Sequence, residues 1–242
     1  MILKLVRTLA TYLLVGLLVI IFAIPCLIFI LLPARWRYDN KLFFWMSHIF
    51  YKLTLWFTFL PIEFIGKENI PKEPSIIAPN HQSALDVPLV GVLLNGRPHL
   101  WMAWSALTRY WIGPVISRMA VLLDVSSPMK ASRSLVRGIK MFKDKNRYAI
   151  IFPEGSRSKG NQVSDFFAGF VMLAKKAGRP VVPVLILNAY KAYPPGAFFI
   201  NWCKIKVIVG KPFLYKESDE GDDAFKKRVR DWFVQTVEKY ET

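Results

Sequence analysis

The chain is expected to fold as an α/β domain, with a mixed, largely parallel sheet flanked by helices, carried on an amino-terminal membrane-inserted helical hairpin. Three observations lead there. No charged residue occurs from Thr8 to Ala34, the next stretch from Leu42 to Leu60 is crowded with aromatics, and beyond Ile62 short apolar runs alternate with helix-length segments. That last pattern is what βα units with substantial parallel pairing produce. The expected division is a membrane-anchoring hairpin over 1–61 and an α/β domain over 62–242, and 242 residues suffice for one such core plus an appendage.

Taken in order, Leu9 to Leu32 is apolar for about the length that a bilayer core requires. A cleaved leader would need a shorter apolar core and a small-residue cleavage site. Lys4 and Arg7 precede the segment while Arg35, Arg37 and Lys41 follow it, with Asp39 offsetting one, so flanking charge sets no orientation. In the second stretch Phe43, Phe44, Trp45, Phe50, Tyr51, Trp56, Phe57 and Phe59 are interrupted by His48 and Lys52 and closed by Pro61, the mixture typical of an interfacial helix. A hairpin re-entering one leaflet, with Pro25 as a kink, and a single span followed by a juxtamembrane helix both satisfy this pattern. The strands expected next are Ser75 to Ala78, Leu100 to Ala103, Val121 to Val125, Tyr148 to Phe152, Val181 to Leu187 and Ile205 to Val209. Asp222 to Tyr240 reads as a closing amphipathic helix with Phe225, Val229, Trp232, Phe233 and Val237 on one face.

Charge and composition narrow the partners. The chain is 53% hydrophobic yet carries a formal charge of +16, so apolar and basic character are segregated along it. That combination suits an anionic membrane surface. It argues against nucleic acid, whose binders rarely carry a long uncharged apolar segment. Cys26 and Cys203 lie far apart, one of them inside the apolar segment, so neither a disulfide framework nor a thiolate metal site is indicated and a reducing compartment is expected.

Two loops carry the chemistry. The run Ser75 to Pro79 breaks into Asn80-His81-Gln82-Ser83-Ala84-Leu85-Asp86 at a strand end, where open α/β sheets place their ligands. Five residues of helix would set His81 and Asp86 about 140° apart. They meet only if His81 lies in the turn ahead of a helix and Asp86 in its first turn, with Ser83 expected as N-cap. Asp86 would then fix one imidazole nitrogen and leave the other as a general base. For His48 and His99, a packed or solvated ring is the expectation. The second loop, Phe152-Pro153-Glu154-Gly155-Ser156-Arg157-Ser158, also follows an apolar run. Gly155 permits close approach of a ligand, Ser156 offers a hydroxyl, and Arg157 presents a planar fork suited to phosphate.

With these residues in view the sequence resembles the glycerolipid acyltransferases typified by the lysophosphatidate acyltransferases. Asn80-His81 with Asp86 matches their NHxxxxD motif, Phe152 to Ser158 matches FPEGTRS with Ser for Thr, and Val181-Val182-Pro183-Val184 matches a late VVPV-like motif. The likeness covers roughly residues 62 to 215, and the amino-terminal hairpin is similar to that of some bacterial members. It implies transfer of a fatty acyl group from acyl-CoA or an acyl-carrier protein to the free hydroxyl of lysophosphatidate as the leading acceptor, the alternatives being a different lysophospholipid or an aminolipid, or a catalytically silent membrane-anchored lipid-binding protein. His81 would be the base, Asp86 its orienting partner, and Glu154, Gly155, Ser156 and Arg157 the acceptor-binding loop. No metal and no cofactor are implied, and the expected setting is a bacterial inner membrane with the catalytic domain on the cytoplasmic side. Lack of a Gly-x-Ser-x-Gly elbow agrees with direct transfer.

The chain departs from the family at two places. Lysines common near Ala103 to Leu107 are replaced by Trp104, Ser105 and Ala106, and an Ile-Asp-Arg-like strand end, whose arginine helps hold phosphate, reads Leu123-Asp124-Val125. After it, Ser127-Pro128 looks like a helix start, with Leu135, Val136, Ile139 and Phe142 on the apolar side. Lys130, Arg133, Arg137 and Lys140 then form one basic stripe, and Arg133 is the expected substitute ligand for the acceptor phosphate.

Overall fold

The computed structural model describes residues 1–110, 113–143, 145–216 and 221–241. Helix α1 (Ile2–Leu31) continues through Pro25, and a short turn, α2 (Ala34–Arg37), leads to α3 (Lys41–Trp56). Asn40 starts α3 by accepting the Phe43 N–H at 3.0 Å. The aromatic stretch is therefore helical only to Trp56, short of Leu60, because the chain turns at Thr58 and at Phe59, whose φ is +56°.

The remaining elements are β1 (Ile62–Ile65), β2 (Ile76–Pro79), α4 (Asp86–Leu93), β3 (His99–Trp104), α5 (Gly113–Met119), β4 (Ala120–Leu123), α6 (Pro128–Phe142) and β5 (Tyr148–Ile150). They continue as α7 (Gly169–Ala177), β6 (Val181–Leu187), α8 (Ala189–Ala192), β7 (Ile205–Val209) and α9 (Asp222–Glu241). Among the described residues the strands form one sheet in the order β1-β7-β6-β2-β5-β3-β4, parallel throughout except where β6 meets β7. Strand β1 was not anticipated, since four half-buried residues carry too short a pattern to register. Strand β6 was legible because it is buried on both faces, which demands an unbroken apolar run.

One face of the sheet is covered by Leu135, Ile139 and Phe142 of α6, Phe170 and Leu173 of α7, and Phe225, Val229 and Phe233 of α9. The other is covered by Leu89 and Val90 of α4, Ala189 of α8 and Leu55 of α3. Helix α3 is thus part of the domain's core, and Gly91 is where it comes closest. A Cβ there would stand 2.3 Å from the Tyr51 ring.

Helix α1 is fastened to the domain at both ends. Near its start, Thr8 Oγ1 accepts the Ile200 N–H at 3.2 Å and Thr11 Oγ1 donates to the Phe57 carbonyl at 2.8 Å. At its far end, Arg118 Nη1 of α5 donates to the Ile30 carbonyl at 3.4 Å, and Arg37 Nη1 donates to the Ile30 and Leu32 carbonyls at 3.0 and 2.8 Å, so that orphan carbonyls of the last turn find donors. The turn between α1 and α3 is held as well. Arg147 grips Asp39 in a two-pronged pair, Nη2 lying 2.6 Å from Oδ2, and Tyr38 donates to the Arg118 carbonyl at 2.9 Å.

Two expectations need correction. Ser83 is not the N-cap of α4, because its hydroxyl donates to the Tyr193 carbonyl at 2.7 Å and the helix starts later, after Leu85. Val136 is exposed rather than packed, since its neighbours Leu135 and Ile139 define the inner face of α6. The start of α6 is as expected, with Ser127 Oγ accepting the Lys130 N–H at 3.3 Å.

Candidate active site

Strand β2 delivers the site, and Asn80 ends it. The Asn80 side chain donates to the Ile186 carbonyl at 3.0 Å and accepts the Ile186 N–H at 2.7 Å. An amide side chain so placed extends the ladder to β6 by one rung beyond the Asn80 backbone N–H, which donates to the Val184 carbonyl at 3.2 Å. His81 is the first residue outside it.

His81 Nδ1 lies 2.7 Å from Asp86 Oδ2, and Asp86 is fully buried at the first position of α4. The same oxygen accepts the backbone N–H groups of Gln82 and Ser83. Three donors therefore converge on one oxygen of this carboxylate at the amino end of a helix. Because a carboxylate only accepts, Nδ1 must carry the proton, which leaves Nε2 as the basic nitrogen. The imidazole is held from its flat side by Phe152, with ring centres 4.0 Å apart, and Phe152 in turn stacks on Trp101 at 6.0 Å.

The loop after β5 grips the backbone of the same histidine. Glu154 Oε1 accepts the His81 N–H and Oε2 the Ser164 N–H, both at 3.1 Å, while Ser158 donates its backbone N–H to the His81 carbonyl at 2.7 Å. Glu154 is buried, and burial pushes its carboxyl above the usual range despite those two donors. Its carboxylate thus faces inward, as a strut. Gly155 turns the loop at a φ of +71°, where a Cβ would also come 3.3 Å from the Trp104 ring.

Gly155, Ser156 and Arg157 line the mouth of a cavity of about 580 Å³, together with His81. Its walls are otherwise mostly apolar, with Trp101, Met102, Trp104, Ile116, Met119 and Phe152 prominent among them. Arg157 is exposed at the rim and is the cation that lines the cavity among the described residues. The structure thus brings together His81, Asp86, Glu154, Gly155, Ser156 and Arg157. It does not bring Arg133 to them. Arg133 is exposed on α6 and absent from the cavity lining, because it stands about 200° around the helix from Leu135, which packs on the sheet.

The family model described as Acyltransferase matches residues 61–187, more than half of the chain and all three motif regions. The chain belongs to the acyltransferase family. The acyltransferase is 30% identical over 203 residues to a 1-acyl-sn-glycerol-3-phosphate acyltransferase of Borreliella burgdorferi, the match covering 82% of this chain and 80% of that one. It is 29% identical over 226 residues to the enzyme of the same name from Pseudomonas aeruginosa, covering 86% and 80% of the two chains. Among solved structures it superposes on the 1-acyl-sn-glycerophosphate acyltransferase of Thermotoga maritima with a TM-score of 0.75 at 24% identity, covering 100% and 98% of the two chains. That likeness shows the fold.

Sequence reasoning missed three contributors to the acyltransferase site. Asn80 and Phe152 lay inside the motifs but had no role until the Ile186 rung and the ring stack were seen. Gln82 donates to the Gly160 carbonyl at 2.8 Å and to Asn161 Oδ1 at 3.0 Å, tying the turn that presents His81 to the segment just after the second loop. A motif shows which residues recur together, but not which of them grip backbone.

Proposed function

We propose that the acyltransferase moves a fatty acyl group from acyl-CoA or an acyl-carrier protein onto the free hydroxyl of lysophosphatidate, giving phosphatidate at the cytoplasmic face of a bacterial inner membrane. The observation that carries this is the His81–Asp86 pair at 2.7 Å, at the mouth of an apolar cavity of about 580 Å³ with Arg157 on its rim. The cavity accommodates an acyl chain, and Arg157 is placed for a phosphate. As the acceptor oxygen attacks the thioester carbonyl, Nε2 takes the hydroxyl proton. The tetrahedral adduct then collapses, breaking the carbon–sulfur bond, and the imidazolium returns the proton to the departing thiolate. Asp86 stabilises the imidazolium between those events. A lysophospholipid with a larger headgroup is the alternative acceptor, favoured by the single cation lining the cavity among the described residues.

We read α1 and α3 as seated side-on in one leaflet. The domain contacts at Thr8 and Ile30 are about 33 Å apart along a helix, roughly the thickness of a bilayer core. A helix crossing that core could not keep both ends on one domain. The exposed row Leu9, Leu13, Leu17, Ile20, Ile24 and Leu31 then faces lipid.

The experiment is thiol release from acyl-CoA and from acyl-carrier protein by the full chain in vesicles, with lysophosphatidate, lysophosphatidylethanolamine or lysophosphatidylcholine as acceptor. Release dependent on lysophosphatidate, lost by about 10² to 10⁴ in His81→Ala, is expected. Preference for another lysophospholipid would replace the acceptor, and near-normal turnover by His81→Ala would sink the mechanism.

A further inference from the structure

The loop between α8 and β7 carries a feature that neither the motifs nor the hairpin explains. Phe198, Phe199 and Trp202 are 53%, 40% and 60% exposed, three large aromatics within five residues of a domain whose other aromatics are mostly packed. The loop is ordered by its own chemistry. Pro194-Pro195-Gly196-Ala197 closes a turn, with the Ala197 N–H donating to the Pro194 carbonyl at 3.1 Å and Gly196 at a φ of +80°, the arrangement of a type II turn with proline second and glycine third. Asn201 fixes the return, its backbone N–H on the Ala192 carbonyl at 2.8 Å and its side chain on the Lys191 carbonyl at 2.9 Å. Such a framework holds the aromatic side chains out in water at a hydrophobic cost that a soluble surface has no reason to bear.

Their neighbours say what covers them. Lys4 of α1 stands 5.0 Å over the Phe199 ring and Arg7 lies 5.8 Å from the Trp202 ring, while Tyr12 of α1 packs against Phe198 at 5.6 Å and donates to its carbonyl. The aromatic patch therefore continues the lipid-facing row of α1 at its charged amino end, where Ile2, Leu3, Leu5 and Val6 are also exposed. Aromatics with lysine and arginine beside them, directly bordering an apolar helix face, are the composition that settles at the headgroup boundary of an anionic bilayer. The root of the loop is equally informative. The Tyr193 carbonyl accepts the Ser83 hydroxyl at 2.7 Å, and the Tyr190 N–H donates to Gln82 Oε1 at 3.2 Å, so the loop springs from the turn that presents His81.

We propose that residues 194–202 form a second membrane contact, remote in sequence from the hairpin, in which Phe198, Phe199 and Trp202 with Lys4 and Arg7 enter the headgroup boundary of an anionic leaflet. The contact sets the height of the catalytic turn above the lipid, which the hairpin alone leaves free to roll about its long axis. It rests on the side-on seating argued above, and it is separable from it. Single cysteines would be placed at Phe199, at Leu17 on the lipid-facing row of α1, and at Ala224 on the opposite face of the domain, in a full chain with Cys26 and Cys203 changed to Ser. Each carries an environment-sensitive fluorophore in vesicles of phosphatidylglycerol and phosphatidylcholine. Lipids spin-labelled near the headgroup should quench Phe199→Cys strongly, with aqueous iodide excluded, while Ala224→Cys shows the reverse. Iodide quenching at 199 equal to that at 224, with Leu17→Cys still quenched by lipid, would overturn the loop contact and leave the hairpin seating intact. Loss of lipid quenching at 17 as well would overturn both. As a second readout without labels, the variant F198S/F199S/W202S should bind these vesicles several-fold more weakly, and unchanged binding would also count against the contact.

Discussion

At the scale of single residues, the site depends on how two carboxylates are held. Asp86→Asn places an amide among three donors that all point at one oxygen, so it cannot stabilise imidazolium. Turnover should fall by about 10² to 10⁴ with thioester KM little changed. Glu154 tests a different idea. Its oxygens are both engaged by backbone N–H groups of His81 and Ser164, so Glu154→Gln must aim an NH₂ at one of those donors. The expected outcome is a lower kcat at unchanged acceptor KM, the mark of a positioning residue. A selective rise in acceptor KM would instead return Glu154 to the acceptor-binding role that the motif implies. His99, a third ionisable group, is enclosed by Phe44, Tyr51 and Trp101, and burial lowers its pKa to about 4. Its unfolded value is near 6.5, so the unfolded chain binds the proton first and stability falls as pH drops through that window, by up to about 3 kcal/mol once pH is below 4. Melting of His99→Phe in detergent should be flatter than wild type between pH 6.5 and 4, and an unchanged slope would remove His99 as the cause.

At the scale of elements, strand ends matter more than strand middles. Asn80→Ala removes both bonds to Ile186 and leaves buried backbone groups unsatisfied, which costs about 1–3 kcal/mol for each such group. Both the melting midpoint and turnover should drop, because the same residue ends β2 and presents His81. Normal turnover at a lowered midpoint would confine Asn80 to stability. The strands buried on both faces and the amphipathic α9 were readable because their burial imposes a continuous run in one case and a helical period in the other. Strand β1 was not readable, since its pairing partner β7 lies at the far end of the sequence and its own four residues show no pattern. Ser83 misled for a related reason. Its side chain spans to Tyr193, which a local capping rule has no means to weigh.

At the scale of the whole molecule, the amino-terminal segment is both exposed apolar surface and part of the core. Tyr51 lies against Gly91 and Leu55 joins the cluster formed by Leu89, Val182 and Ile205. Removing residues 1–60 should therefore yield a protein that aggregates or melts far below the full chain, in detergent as well as in water. A soluble, cooperatively folded 61–242 fragment would show that α3 is dispensable to the core. Arg147 tests the docking more gently. Arg147→Leu deletes the pair with Asp39 and should loosen the turn between α1 and α3, seen as faster hydrogen exchange there with β6 unaffected.

The reaction class was written locally. Asn80, His81, Asp86 and the run from Phe152 to Ser158 sit in short stretches whose spacing survives without any knowledge of the fold, and the apolar runs around them imply a sheet because burial on both faces requires them. What depended on tertiary structure was every contact between residues far apart in the chain. Glu154 turned inward to hold the His81 backbone, Arg133 turned outward because Leu135 took the inner face of α6, and both ends of α1 came to rest on one domain. None of these follows from spacing, because each is a competition among side chains for one place in the packing, and packing is decided by the whole chain at once.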